Sequence, residues 1–295
     1  MKYKVVHKTQ YDYEQAVTHG YNLAHFSPRS FHRQVCVSSS ITVEPVAEMM
    51  RTQEDFFGNT MTYFAVQQPH NSLIVTSCSD VDIIAEQHLP ESLNAISWEQ
   101  ARDGILASTA IEDIEARQYS LESPYVKLSP DIKQYAAKSF TANRPLLEAV
   151  NDLMQRIHHE FTYDPDFTTL ATPLTDVLAH RRGVCQDFAH LAIACIISHG
   201  MPTRYVSGYI ETLPPPGQQK LQGADASHAW FSVMFPGYGW LDFDPTNNQI
   251  PMDKHITTAW GRDYSDVTPL KGVIFGGGKK NTLQVSVDVT ALKKD

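Results

Sequence analysis

The chain is poor in cysteine: four, at Cys36, Cys78, Cys185 and Cys195, in 295 residues. They are too few and too widely spread to frame a disulfide scaffold, so reduced thiols are expected. No apolar run approaches the roughly 20 residues needed to span a bilayer. The amino terminus, Met1 to Gln10, carries lysines but lacks the unbroken apolar stretch of a secretion signal. A soluble cytoplasmic protein with no membrane partner is expected. Positive charge is also short, with 24 Lys and Arg against 33 Asp and Glu and a net charge of -9, and the basic residues are scattered. That leaves no electrostatic footprint for a phosphate backbone, and no nucleic acid partner is expected. The remaining composition, 42% apolar and 19% charged, is that of a globular chain. No internal repeat is present, nothing specifies an oligomeric state, and the length fits two units of about 150 residues.

Residues 1–85 consist of short alternating runs rich in Val, Thr, Tyr and Phe, such as Tyr3 to His7, Ser40 to Glu44, Met61 to Val66 and Ser72 to Thr76. Breaks fall at Ser27-Pro28-Arg29 and Phe57-Gly58-Asn59. The pattern predicts antiparallel strands and a β-sandwich-like first domain. Cys36 and Cys78 fall in these β-like surroundings and are expected as buried structural thiols. Residues 86–128 are less periodic and read as a linker with local structure, including a short helix from Trp98 to Leu106.

From residue 129 helical signals strengthen. Ser129-Pro130-Asp131 is a helix start, and Pro145 opens a helix to about Glu160, with an apolar stripe through Leu146, Leu147, Val150, Leu153, Met154 and Ile157. A third helix begins near Cys185 and ends at Gly200. A strand from Thr203 to Ile210, a loop holding Pro214-Pro215-Pro216-Gly217, and two strands, Ser227 to Phe235 and Trp240 to Asp244, follow. The last two are joined by the turn signal Pro236-Gly237-Tyr238-Gly239. The second domain, 129–295, is therefore α+β, with residues beyond about 265 returning as strands.

Cys185 sits in Arg182-Gly183-Val184-Cys185-Gln186-Asp187, where a loop enters a strongly helical segment. At such a place unpaired backbone N–H groups and the positive end of the helix dipole favour thiolate and can also hold an oxyanion. A thiolate nucleophile works with an imidazole, and His228 opens a strand 43 residues downstream. Asp244, 16 residues further, supplies an acceptor for the second ring nitrogen. The hairpin register leaves one point open. A two- or four-residue loop puts Asp244 on the wrong face; a three- or five-residue loop makes His228 and Asp244 diagonal neighbours.

Arg182 to His190, His228-Ala229-Trp230 and Asp244-Pro245-Thr246 together resemble the transglutaminase-like core. The resemblance implies a papain-like fold with Cys185 on a helix, His228 and Asp244 on neighbouring strands, and these three as its catalytic triad. Tyr3, His7 to Tyr13 and Asp55 to Asn59 resemble the β domain that precedes this core in many bacterial members, and Gly261 to Val267 fits as well.

Rival readings attach to the same residues. Zinc is weighed because His190, Cys195 and His199 lie near Cys185, but no Cys-x-x-Cys or His-x-x-x-His pair appears there. Cys195 and His190 are read as helix-packing residues and His199 as a cap near the helix end. Asp242 competes with Asp244 for the third role, with solvation or a salt bridge as its plainer explanation. Trp230 and Trp240 are read as packing residues near the site. The expected chemistry is thioester-forming attack on an amide or peptide carbonyl, with hydrolysis of a peptide or protein substrate first and glutamine transamidation second. No cofactor is called for. A non-catalytic peptide-binding or scaffold module is the alternative of another class.

Overall fold

Alternation of inward and outward residues governs the first strand of the computed structural model, which describes residues 1–85, 88–169, 172–211 and 227–292. The loop at Pro214 to Gly217 lies outside the described residues. In chain order the elements are β1 (Lys2–Ala24), β2 (Gln34–Glu44), β3 (Met49–Glu54), β4 (Thr60–Val66) and β5 (His70–Ile83), then α1 (Trp98–Ala107), α2 (Ile111–Ala116), α3 (Pro130–Ala137) and α4 (Leu146–Glu160). There follow β6 (Thr162–Tyr163), α5 (Leu174–His180), β7 (Arg182–Gly183), α6 (Cys185–Ile197), β8 (Thr203–Ile210), β9 (Ser227–Phe235), β10 (Gly239–Phe243), β11 (His255–Gly261), α7 (Tyr264–Val267), β12 (Leu270–Gly276) and β13 (Asn281–Leu292).

β1 is long enough to serve two layers. Its first half, with Tyr3, Val5, His7 and Thr9 turned inward, runs between β5 and β13; past a register shift between Asp12 and Val17, its second half runs between β4 and β12. Ala24, Phe64 and Val66 from one half pack with Val43, Leu73 and Val75 from the other, so the seven-stranded sheet doubles over in the sandwich-like manner the sequence predicts. Cys36 and Cys78 lie on β2 and β5 half-exposed, not buried as expected: Cys78 stands on the face of β5 opposite Leu73 and Val75, and Cys36 lies at the register shift of β2.

Two boundaries differ from the sequence reading. β12 and β13 do not extend the second domain: they fill the edge of β1 left open by β4 and β5, so residues 270–292 complete the first sheet. The stretch 86–128 is no spacer either, since Leu93, Ala101, Ile105, Ala116 and Val126 are buried in the main core of the helical domain. Its first helix has a capping box, Ser97 Oγ accepting from Gln100 N at 3.3 Å and Gln100 Oε1 accepting from Ser97 N at 3.1 Å.

In the second domain β10, β9, β8 and β11 form an antiparallel sheet with α6 packed on one face. α6 is mostly apolar and buried from Asp187 to Ile197, with Asp187 and His190 as its buried polar residues, and is flanked by α3, α4 and α5. Ser129 caps α3 by accepting from Ile132 N, with Pro130 at the first position, and α4 buries Leu146, Val150, Leu153, Met154 and Ile157. The first domain covers the sheet's other face: Tyr3, Val5, Val81 and Ile83 pack with Tyr209 and Ile256. The side-chain amides of Gln34 and Asn59 pair with the backbone of Thr257 and Trp260 along β11, satisfying polar groups at that sheet edge. No helix among the described residues is long and apolar enough to cross a membrane.

Candidate active site

The start of α6 is built around Asp187. Its Oδ2 accepts from Val184 N at 2.8 Å, closing the helix N-terminus over Cys185, and from Thr168 Oγ1 at 2.7 Å. Burial raises the pKa of Asp187, while these two hydrogen bonds oppose the shift. The carboxylate folds back so tightly that a Cβ on residue 183 would lie 2.9 Å from it, which is why glycine stands there. β7 pairs with β6, and the Arg182 to Asp164 ion pair ties the two together. The thiol of Cys185, partly exposed, is thus presented at the first position of a rigid, buried helix.

β9 and β10 settle the open register. Phe235 pairs with Gly239, leaving a three-residue loop, so Ser232 faces Asp242 and the next residues along, Trp230 and Asp244, share that face with His228. His228 Nε2 lies 2.8 Å from Asp244 Oδ2, and the Cys185 side chain is close enough to act on the imidazole as a partner that raises its pKa. With Nε2 on the carboxylate, Nδ1 is the nitrogen turned to sulfur. Gly208 pairs with His228 across β8 and β9; a Cβ there would strike Ile256 O and the Trp230 ring, so a bare strand position makes room for the packing beneath the imidazole.

Asp244 is fully buried and fully bonded. Oδ2 also accepts from His255 Nε2 at 2.9 Å and Asn247 Nδ2 at 2.7 Å, while Oδ1 accepts from Thr246 N at 3.0 Å and Asn247 N at 3.1 Å. The backbone bridge between Asp244 and Gln249 closes the turn that brings these donors round. Burial works against the charge, but the hydrogen bonds from His228 and His255 outweigh it and hold the carboxyl far below its usual range. Burial likewise disfavours a charged His228, and the hydrogen bonds to Asp244 and Cys185 override it, so that its pKa is raised well above that of a free imidazole. The arrangement stabilises an imidazolium beside a sulfur atom.

All three residues singled out in the sequence therefore meet. Two family profiles match the chain: the bacterial transglutaminase-like N-terminal region over residues 3–82 and the transglutaminase-like superfamily over 133–245. The uncharacterized protein Rv2569c of Mycobacterium tuberculosis is 40% identical over 300 residues, with 100% of this chain and 94% of that protein covered. The uncharacterized protein ML0607 of Mycobacterium leprae is 32% identical over 292 residues, with 98% of each covered. The chain belongs to the transglutaminase-like superfamily. A solved structure from Cytophaga hutchinsonii, named a "putative cysteine protease", superposes with a TM-score of 0.77 at 22% identity, covering 100% of this chain and 92% of the other, and so shares the superfamily fold with the preceding β domain.

Cys185, His228 and Asp244 all lie inside the stretch matched to the superfamily profile; His255 lies beyond it. His255 was missed because it opens β11, 11 residues past Asp244, and nothing local marks its ring as the carboxylate's second donor. His228, Asp244 and His255 also bring three ligand atoms within 4.8 Å, enough to hold a metal ion. Yet both Nε2 atoms and the Asn247 amide point directly at one carboxylate oxygen, a hydrogen-bonded cluster rather than ligands spread around a space. Asp242 is buried in an ion pair with Arg33 at 3.0 Å. His190 packs between Tyr125 and Tyr205 and accepts from Tyr264 N, and burial lowers its pKa to about 4. His199 stacks on Phe140 beside the Cys195 carbonyl, and Cys195 is fully buried. Trp230 packs against His255 and His228, whereas Trp240 lies at the far end of the hairpin.

Proposed function

We propose that the protein is a cysteine-dependent acyl-transfer enzyme acting on amide or peptide carbonyls through a thioester, with hydrolysis as its main outcome. The observation that carries this reading is His228, which is bonded to the buried Asp244 carboxylate at 2.8 Å and whose pKa is raised both by that carboxylate and by the Cys185 side chain at the start of α6. In the proposed cycle the Cys185 proton resides on His228 Nδ1 and the sulfur attacks the carbonyl carbon. The oxyanion is held by free N–H groups of the first helical turn. Collapse expels the amine, which takes the proton from His228, and leaves a thioester on Cys185. Water, deprotonated by the same imidazole, attacks the thioester and releases the acid and the thiol. An amine in place of water gives transamidation, which needs a site that binds the amine and restrains water. Water needs neither, and hydrolysis stands first for that reason.

The test is intact-mass spectrometry of protein quenched during incubation with a panel of peptide and glutamine-containing amides, with and without a primary amine. An acyl adduct on Cys185 that yields free acid supports hydrolysis, and transfer to the amine in preference to water replaces it with transamidation. Substrate binding with no adduct and no turnover, unchanged in Cys185→Ala, would instead favour a peptide-binding module.

A further inference from the structure

Between the two domains, beyond the hairpin end of the four-stranded sheet, lies a cavity of about 650 Å³ that the proposed chemistry does not use. Arg204 forms part of its wall. This residue pairs in register with Ser232, four residues along β9 from His228, or about 13 Å at the usual rise of a strand. Only 7% of Arg204 is exposed, and its Nε has no hydrogen-bond partner among the described residues. The guanidinium is held by rings instead, 3.7 Å from the centroid of Trp260 and 4.4 Å from that of Trp240. Arg29 stacks on the same Trp260 at 3.6 Å, and its Nε is also without a partner. The carboxylate whose charge acts on Arg204, Asp242, is bonded to Arg33. Glu112 and Glu115 stand on the rim, exposed to solvent. Burial lowers the Arg204 pKa to about 9, against the pull of Asp242, which registers how poorly this cation is compensated.

A buried guanidinium with an unpaired N–H is costly, and one packed on two indoles presents planar donors that suit a two-oxygen acceptor. Tyr119, Phe57 and Trp240 supply apolar walls beside it, and the volume falls in the range of small-molecule sites. We propose that this cavity binds a small anion, a carboxylate or phosphate group on an aromatic or apolar body, with Arg204 as its principal contact and Arg29 as the second cation. The proposal does not depend on the chemistry assigned to Cys185.

Three probes test it on the full chain: 3-phenylpropionate, its neutral amide, and inorganic phosphate. Each is titrated into 15N-labelled protein while the arginine Nε–H signals are followed, with Arg204 assigned by its contacts to the indole protons of Trp240 and Trp260. Affinities are measured by calorimetry in the wild type and in Arg204→Lys, which keeps the charge and loses the planar fork. The expected result is a saturable shift of the Arg204 signal with the acid, binding at least roughly tenfold weaker for the amide, and a similar loss in Arg204→Lys. Phosphate binding tighter than the acid assigns the site to phosphate-bearing ligands and supports the proposal equally. Equal binding of acid and amide overturns it, as does the absence of any saturable Arg204 shift with either anion. Both of these readings come from the wild type and stand even if the variant does not fold.

Discussion

Replacing Asp244 with asparagine perturbs the atom on which the site converges. Oδ2 accepts from His228, His255 and Asn247 at 2.8, 2.9 and 2.7 Å, and Oδ1 accepts two backbone N–H groups at 3.0 and 3.1 Å. A carboxylate offers acceptors on both oxygens; an amide offers one acceptor and one donor. If the new oxygen stays with the backbone, the amide N–H faces His228 Nε2, which must give up its proton to accept. That proton then sits on Nδ1, the nitrogen turned to Cys185, and the ring can no longer take the thiol proton. If the amide flips, its NH2 faces two backbone N–H groups, and the turn holding Thr246 and Asn247 is strained. In a serine triad the equivalent change costs about 10⁴ in kcat. A thiol depends less on its base than a hydroxyl, so we expect kcat/KM to fall roughly 10² to 10³-fold, scaled from that figure.

The assay is the burst of nitrophenolate from p-nitrophenyl acetate, normalised to folded protein by circular dichroism. Asp242→Asn is the control. It removes the negative charge beside the buried Arg33 guanidinium, which keeps its hydrogen bond to Pro251 O, and should lower stability by about 1.5 to 3 kcal/mol. Its burst per folded molecule should stay near the wild-type value. A large rate defect in folded Asp242→Asn beside a near-normal Asp244→Asn would refute the reasoning and move the third role to Asp242.

Cys185 should be alkylated by iodoacetamide far faster than Cys36, Cys78 or Cys195 in native protein; peptide mapping after a short pulse reads this, and equal labelling would sink it. Cys195 should be silent, since burial raises its pKa to about 12. Gly183→Ala pushes a methyl against Asp187 and loosens the cap on Val184, at a cost of about 1 to 3 kcal/mol in urea unfolding and with slower Cys185 alkylation. The stability that Asp244 contributes is present above its unfolded pKa of 3.8 and is lost as pH falls toward the depressed folded value; that of protonated His228 is present below 6.5 and is lost as pH rises toward its raised value. The melting-temperature gap between wild type and Asp244→Asn should therefore narrow below about pH 4, and a gap that widens in acid would contradict the assignment. Chelator should leave turnover unchanged, since imidazole and helix start activate the sulfur; zinc that survives dialysis and restores lost activity on return would make the His228, Asp244 and His255 cluster a metal site.

Local physics was legible in the residues. The Ser129-Pro130 start, the apolar stripe of α4 and the largely apolar run from Phe188 to Ile197 obey rules that act within a few residues, and so they announce helices and place a cysteine at a helix start. The strands of the first 85 residues follow from alternation in the same way. Those signals, with three separated motifs in order, were enough to name Cys185, His228 and Asp244 and the α+β architecture. The short helix from Trp98 was readable too, but its capping box at Ser97 and Gln100 and the burial of Leu93, Ala101, Ile105, Ala116 and Val126 came only with the structure, and the sequence reading took 86–128 for a linker.

What the tertiary structure decided is pairing across distance. Alternation says that 270–276 and 281–292 are strands, but the free edges belong to β1, more than 200 residues away, and no local pattern records which edge is open. The hairpin after Phe235 was compatible with loops of either parity. Packing of Phe231, Phe243 and Leu241 against α6 requires those side chains on one face, and so it selects the three-residue loop that puts His228 beside Asp244. The second donor of Asp244, His255, and the ring-held Arg204 have the same origin. Their neighbours come from strands and domains brought together only by burying a shared core, and the chemistry of a side chain is determined by those neighbours.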